Sequence, residues 1–216
     1  MTITHHPADE LLLRYAAGAT DEATSLILAT HLALCPICRD TVADAEAVGG
    51  ALLVSGHPVA LKSNALESVI ARLDDTVPLP KRPKPEPAPA TGVVEPLRSY
   101  IGGSFDDVRW NKITRGISFK PLFKSGNARV QLIRTKPGQG VGLHTHRGEE
   151  FTLIMTGGYT DVTGHYTRGD LHSATPDILH RPLADEGEDC IVLAVSDAPL
   201  KFHNPAVGLI GKIFGF

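Results

Sequence analysis

Cysteine is scarce in this chain. Only three occur among 216 residues, two of them in one C-x2-C pair, so no disulfide framework is expected and the thiols point to metal or redox work. Long apolar runs are missing as well: no stretch approaches the ~18 to 20 residues that a membrane helix needs. The opening Met1-Thr2-Ile3-Thr4-His5-His6 has neither a basic start nor an apolar stretch, so a cytoplasmic protein with no membrane segment is expected. No repeat of roughly 20 to 50 residues marks a solenoid. Basic residues are few in the first third. Residues 1–75 hold four (Arg14, Arg39, Lys62, Arg72) against ten Asp/Glu, a net −6 that leaves +3 for the remainder of a chain whose total is −3. Such an acidic module has no electrostatic footprint for phosphate backbones. Direct DNA binding is therefore not expected, and a partner with a basic surface would be attracted instead.

What is present divides in three. A hydrophobic content of 42% and a mean hydropathy of −0.01 belong to a globular chain. Residues 1–75 read as helices: Pro7 to Gly18, Thr20 to Leu34, Pro36 to a break at Gly49-Gly50, and about Asn64 to Leu73 with an Asn64-x-x-Glu67 capping box. Residues 76–96 form a Pro-rich linker, with prolines at 78, 80, 83, 85, 87, 89 and 96, that favours extended polyproline conformations and permits independent motion of its neighbours. Residues 97–216 show short apolar stretches, such as Val130 to Ile133, Phe151 to Met155 and Cys190 to Val195, between Gly, Pro and Asp turn signals. That texture predicts an antiparallel sandwich or barrel. The fold class expected is α plus β in two domains.

Each domain carries its own ligand set. In the first, His31-x3-Cys35-x2-Cys38 places an imidazole and a thiol one helical turn apart and a second thiol just beyond the turn, and His6, or failing it His5, can complete the tetrahedral inventory of a closed zinc site. A bare C-x2-C also serves thiol redox pairs, but the βαβ pattern that accompanies those is missing. In the second, His144 and His146 are two apart and share one face of a strand, Glu150 falls on the same face, and His180 arrives from another strand. Three imidazoles and a carboxylate suit zinc or another divalent transition metal and leave a position open. Glu149, His165, His172 and His203 read as solvated or core residues, and Cys190 as a small buried side chain.

The N-terminal pattern resembles the zinc-containing anti-sigma domain. The frame Gly138-x5-His144-x-His146-x3-Glu150-x6-Gly157, followed by Gly169-Asp170, Pro176 and His180, resembles the two cupin motifs, with Ala184 where an Asn is common. Together they resemble the ChrR family of zinc-containing anti-sigma factors. The resemblance implies a small helical zinc-binding bundle, a cupin double-stranded β-barrel, and metal ligands at His6, His31, Cys35, Cys38, His144, His146, Glu150 and His180. It also implies a non-enzymatic protein that sequesters an extracytoplasmic-function (ECF) sigma factor and releases it on singlet-oxygen or peroxide stress. A metal-dependent cupin enzyme of dioxygenase or isomerase type, with the helices as a docking module, is the alternative.

Overall fold

A computed structural model of the chain describes residues 2–75 and 92–203. The polyproline reading of residues 76–91 lies outside the described residues. Helix α1 (Asp9–Ala16) closes at Gly18, whose φ of +66° allows the next amide, Ala19 N–H, to reach back to the Arg14 carbonyl at 2.8 Å. Helix α2 (Glu22–Leu34) opens on Asp21, whose carboxylate accepts the Thr24 amide at 3.0 Å. Cys35 ends α2, Pro36 starts α3 (Pro36–Ser55), and the chain turns by 118° between them.

Two expectations need correction. Helix α3 runs straight through Gly49-Gly50, because two glycines cost only about 1 kcal/mol each and are flanked by Ala45–Val48 and Ala51–Val54, with no proline to break the ladder. Helix α4 (Ala65–Ile70) forms, but the Asn64 side chain makes no cap bond, so the capping box is not realised. Among the described residues no single helix is long and apolar enough to cross a membrane.

A short α5 (Leu97–Ile101) leads into eleven strands: β1 (Asn111–Lys112), β2 (Ile117–Ser125), β3 (Ala128–Thr135), β4 (His144–Thr145), β5 (Glu150–Thr156), β6 (Gly158–Asp161), β7 (Gly164–Thr167), β8 (Leu171–Ala174), β9 (Leu183–Ala184), β10 (Cys190–Ser196) and β11 (Lys201–Phe202). One antiparallel sheet has the order β1-β2-β3-β10-β5-β8. Facing it are β7-β6-β9 and the pair β11-β4, and two single bridges, Gly140 with Leu183 and His144 with His180, continue that wall. This is the double-stranded barrel expected.

The larger sheet is buried on both faces. Ile133, Ile154, Cys190 and Val192 point into the barrel, while Val130, Leu132, Leu153, Leu193 and Val195 share a core with Leu12, Ala23, Leu26, Ile27 and Leu28 of α1 and α2. Helix α2 is apolar all round, as a helix enclosed on every side must be: α1 and α3 cover one side and the sheet covers the other. The linker's reach permits the helices to stand off from the barrel, but this packing holds them on it. Val93 and Leu97, at the linker's end, are buried in the same core.

Candidate metal centres

Four side chains meet where the segment before α1 crosses the α2–α3 junction. His31 lies in the last turn of α2, Cys35 at the junction, Cys38 in the first turn of α3, and His6 arrives from the N-terminal segment. His6 Nδ1 is 3.4 Å from Cys35 Sγ and 3.3 Å from Cys38 Sγ, and His31 Nε2 is 3.3 Å from Cys38 Sγ. A tetrahedral zinc, with bonds of ~2.3 Å to sulfur and ~2.1 Å to nitrogen, spaces such atoms about 3.6 Å apart, so the donor set fits one ion closely. His6, not His5, is the fourth member. Both sulfurs stand at the positive end of α3, which favours thiolate. Burial and the neighbouring Cys35 push the metal-free Cys38 thiol up to about 12, so metal uptake at neutral pH must release protons.

The outer partner of His31 belongs to the barrel. His31 Nδ1 lies 2.9 Å from the Gly169 carbonyl, which fixes the ring and turns Nε2 toward the sulfurs. Gly169 has φ +92°, which favours glycine, and a Cβ there would come within 2.6 Å of the end of the Ile3 side chain, which would have to shift. Its neighbour Asp170, only 1% exposed, ties the N-terminal segment down. One oxygen accepts the Thr4 and His5 amides at 2.7 and 2.9 Å, the other accepts the Thr167 amide at 2.8 Å, and the Leu171 amide donates to the His5 carbonyl at 3.0 Å. His5, weighed as a ligand, is instead part of this seam. Its ring packs 4.3 Å from that of Tyr166, which stacks on His172.

The second centre is inside the barrel. His144 and His180 bridge each other through their backbones, and their Nε2 atoms are 3.1 Å apart; His146 Nε2 is 2.9 Å from His180 Nε2. His144 Nδ1 is placed to donate to the Gly142 carbonyl at 2.8 Å, and His180 Nδ1 to Asp161 at 2.6 Å. With their protons on Nδ1, these two rings aim bare lone pairs at one another, an arrangement that calls for a cation between them. Nitrogens bound at ~2.1 Å and near right angles lie about 3.0 Å apart, which the two separations from His180 match. Glu150 stands just outside the three-imidazole group. One carboxylate oxygen is 3.5 Å from His146 Nδ1, the other accepts the Thr152 hydroxyl at 3.1 Å, and burial raises its pKa to about 7.

Sequence reasoning missed two members of this neighbourhood. Asp161 holds His180 from behind, and His172, read as a bystander, is buried with Nδ1 2.7 Å from the Tyr159 hydroxyl; Asp161, His172 and His180 form an overlapping group of potential ligands. The Asp161-Val162-Thr163-Gly164 turn was the available signal, but nothing in its spacing tells which wall the turn faces. Outside the clusters, His165 is exposed and pairs with Asp185, and Cys190 is buried, as expected of each.

The comparisons with known proteins follow this geometry. Residues 99–199 match the family described as the ChrR cupin-like domain. The chain is 42% identical to the anti-sigma-E factor ChrR of Cereibacter sphaeroides over 216 residues, covering 99% of each. The chain belongs to the ChrR family of anti-sigma factors. The structure of Rhodobacter sphaeroides SigE in complex with the anti-sigma ChrR matches with a TM-score of 0.75 and 41% identity, covering 90% of this chain and 99% of that one. A helical N-terminal region followed by a cupin-like β-domain is thus the family's fold, and both ligand clusters lie within the matched span.

Burial gives these imidazoles a common sign. It lowers His31 to about 4, His144 to about 3, and His146 and His172 to about 4, against 6.5 in an exposed chain. Between those values the unfolded chain takes up protons that the folded chain refuses, so stability rises with pH through that window and is lost on acidification. Glu150, raised from 4.5 to about 7, acts in the opposite direction, one group against four. Competition of protons with any bound metal adds to the loss. The urea midpoint of this ChrR-family protein is expected to fall between about pH 7.5 and about pH 5. Equal midpoints would contradict this assignment.

Proposed function

We propose that this chain captures an ECF sigma factor on the outward faces of α3 and α4 and releases it when singlet oxygen or peroxide acts at the barrel's metal centre. The observation that carries the reading is a set of aliphatic side chains that no described residue covers. Leu52, Leu53 and Val54 of α3 and Leu66, Val69 and Ile70 of α4 are all more than half exposed, Val54 at 86%. Aliphatic side chains exposed in such numbers on two successive helices mark an interaction surface. Their acidic setting suits a partner with a basic surface. The relative named as a SigE complex supports a sigma factor as that partner.

In this reading His6, His31, Cys35 and Cys38 hold a structural zinc, which supplies a rigid cross-link between α1, α2 and α3. His144, His146 and His180 hold a second divalent metal, with Glu150 as the fourth ligand after rotation of its side chain, and Asp161 and Gly142 keep two of the rings in the ligating tautomer. Transmission runs through the Gly169–Leu171 seam, which touches the zinc ligands on one side and leads through Tyr166 and His172 toward His180 on the other.

Co-expression with ECF sigma factors from the same genome should yield a stable one-to-one complex. Leu53→Glu combined with Val54→Glu is expected to weaken it by roughly a hundredfold or more, since buried interface anchors contribute about 2 kcal/mol or more each. Unchanged affinity in a folded double variant removes α3 from the interface. The enzyme reading has one observation in its favour, a carboxyl near pKa 7 beside a cavity. It predicts turnover of small carbonyl compounds that is lost in His144→Ala, whereas the sigma reading predicts none.

A further inference from the structure

The barrel encloses a cavity of about 450 Å³ next to His144 and Glu150 that neither cluster fills. Much of its wall is aliphatic: Ile117 and Ile133 from β2 and β3, Val192 from β10, Val141 from the loop before β4, and Leu200 from the segment after β10. The Phe202 ring, 5.6 Å from that of His144, forms part of the same wall. Protein interiors rarely keep voids larger than a water molecule, so an apolar space of this size has a use.

Its lining selects a ligand class. Among the described residues no Lys or Arg faces the cavity and the one carboxyl on its wall is Glu150, so an anionic head group would meet no cationic side chain, and a divalent ion at the imidazoles already has Glu150 as its counter-charge. Besides His144 and Glu150, the polar side chains on the wall are Thr114, Thr135, Gln139, Thr152 and Tyr159. Thr114 is committed to the Gly116 and Ile117 amides, Tyr159 to His172 and Thr152 to Glu150, and the imidazole group with Glu150 forms the ionisable cluster that an incoming polar atom would meet. At ~30 Å³ per water molecule, the volume corresponds to on the order of fifteen non-hydrogen atoms.

We infer that the barrel binds an uncharged, largely apolar small molecule carrying one carbonyl or hydroxyl oxygen, with its apolar body between Ile117, Ile133 and Val192 and its oxygen toward His144 and Glu150. As the input to sigma release, this ligand rests on the proposed function; as a binding site, it stands alone.

The test uses the full chain and prodan, a neutral naphthyl ketone whose emission shifts to the blue in apolar surroundings. One prodan per chain should bind with micromolar or tighter affinity, methyl octyl ketone should displace it, and decanoate of matching length should compete at least about tenfold less well. Ile117→Trp should abolish the signal by filling the cavity. Val141→Trp, on a loop, repeats the test from the opposite wall should the first variant not fold. No saturable binding, equal competition by decanoate, or full binding by both folded tryptophan variants overturns the inference. Ketone binding to the chain–sigma complex without sigma release leaves the ligand site in place and removes only its regulatory meaning.

Discussion

Replacing Cys35 and Cys38 together by serine is expected to cost the chain one metal equivalent, most of the order in α1 and at the start of α3, and its hold on a sigma factor. The magnitudes decide this. A helical module of some 75 residues keeps about 3 to 5 kcal/mol from its core, whereas structural zinc in small peptides contributes apparent values of ~10 to 16 kcal/mol. Helix α1 buries only Leu12, and α3 only Cys38 and Val42, so little besides the metal fixes their angle to α2. Helix α2, packed on the sheet, should survive. Elemental analysis should show one zinc lost, and circular dichroism a partial fall in helix signal, while the strands melt as before. A variant that kept its zinc content and its sigma binding would sink the assignment. The metal-free thiol switch makes a different prediction, since Cys35 and Cys38 are unpaired thiols here: oxidant sensitivity independent of zinc.

Asp170→Ala is expected to be the most damaging single substitution in the barrel that removes no metal ligand. It orphans the Thr4, His5 and Thr167 amides at a position that is 1% exposed. At about 1 to 3 kcal/mol for each unsatisfied buried group, a loss on the order of 3 to 6 kcal/mol follows, partly relieved by water entry. For a chain of this size that corresponds to a fall in Tm of roughly 10 °C. Hydrogen exchange distinguishes loss of the seam from general loosening: the Thr4, His5 and Leu171 amides should exchange faster, while those of Leu153 and Leu193 keep their order of protection. Uniform acceleration would mean that Asp170 supports the whole barrel and not a joint. With the seam open, sigma capture should persist and release by the barrel's signal should fail.

Much of this arrangement was legible in the residues. The spacing of His31, Cys35 and Cys38 announced the first cluster, whereas the apolar run Leu26-Ile27-Leu28, which marks a helix covered on every side, went unread beside the expectation of independently moving domains. His144 and His146 at strand spacing, with His180 beyond a proline, announced the second cluster. What stayed hidden was contact between segments distant in the chain. The role of Asp170 depends on amides some 165 residues away, and Asp161 meets His180 only because the β6–β7 turn folds toward the barrel's interior. Gly49-Gly50 misled because local cost was read without the helix formers on either side. Glu150 shared a face with the histidines as alternation requires, yet its carboxyl turned toward Thr152 and the rear of His146, a rotamer choice that periodicity does not encode.

The sheet with two dry sides also fixes what a sigma factor may displace. Peeling α2 away would wet Val130, Leu132, Leu153 and Leu193 at ~1.5 to 3 kcal/mol apiece, on the order of 6 to 12 kcal/mol in all, as much as an entire micromolar-to-nanomolar association yields. No partner that gripped the chain by that helix would have net affinity left. Capture that leaves α2 in place therefore takes the barrel along, attached to the helices through the core that α2 shares with the larger sheet.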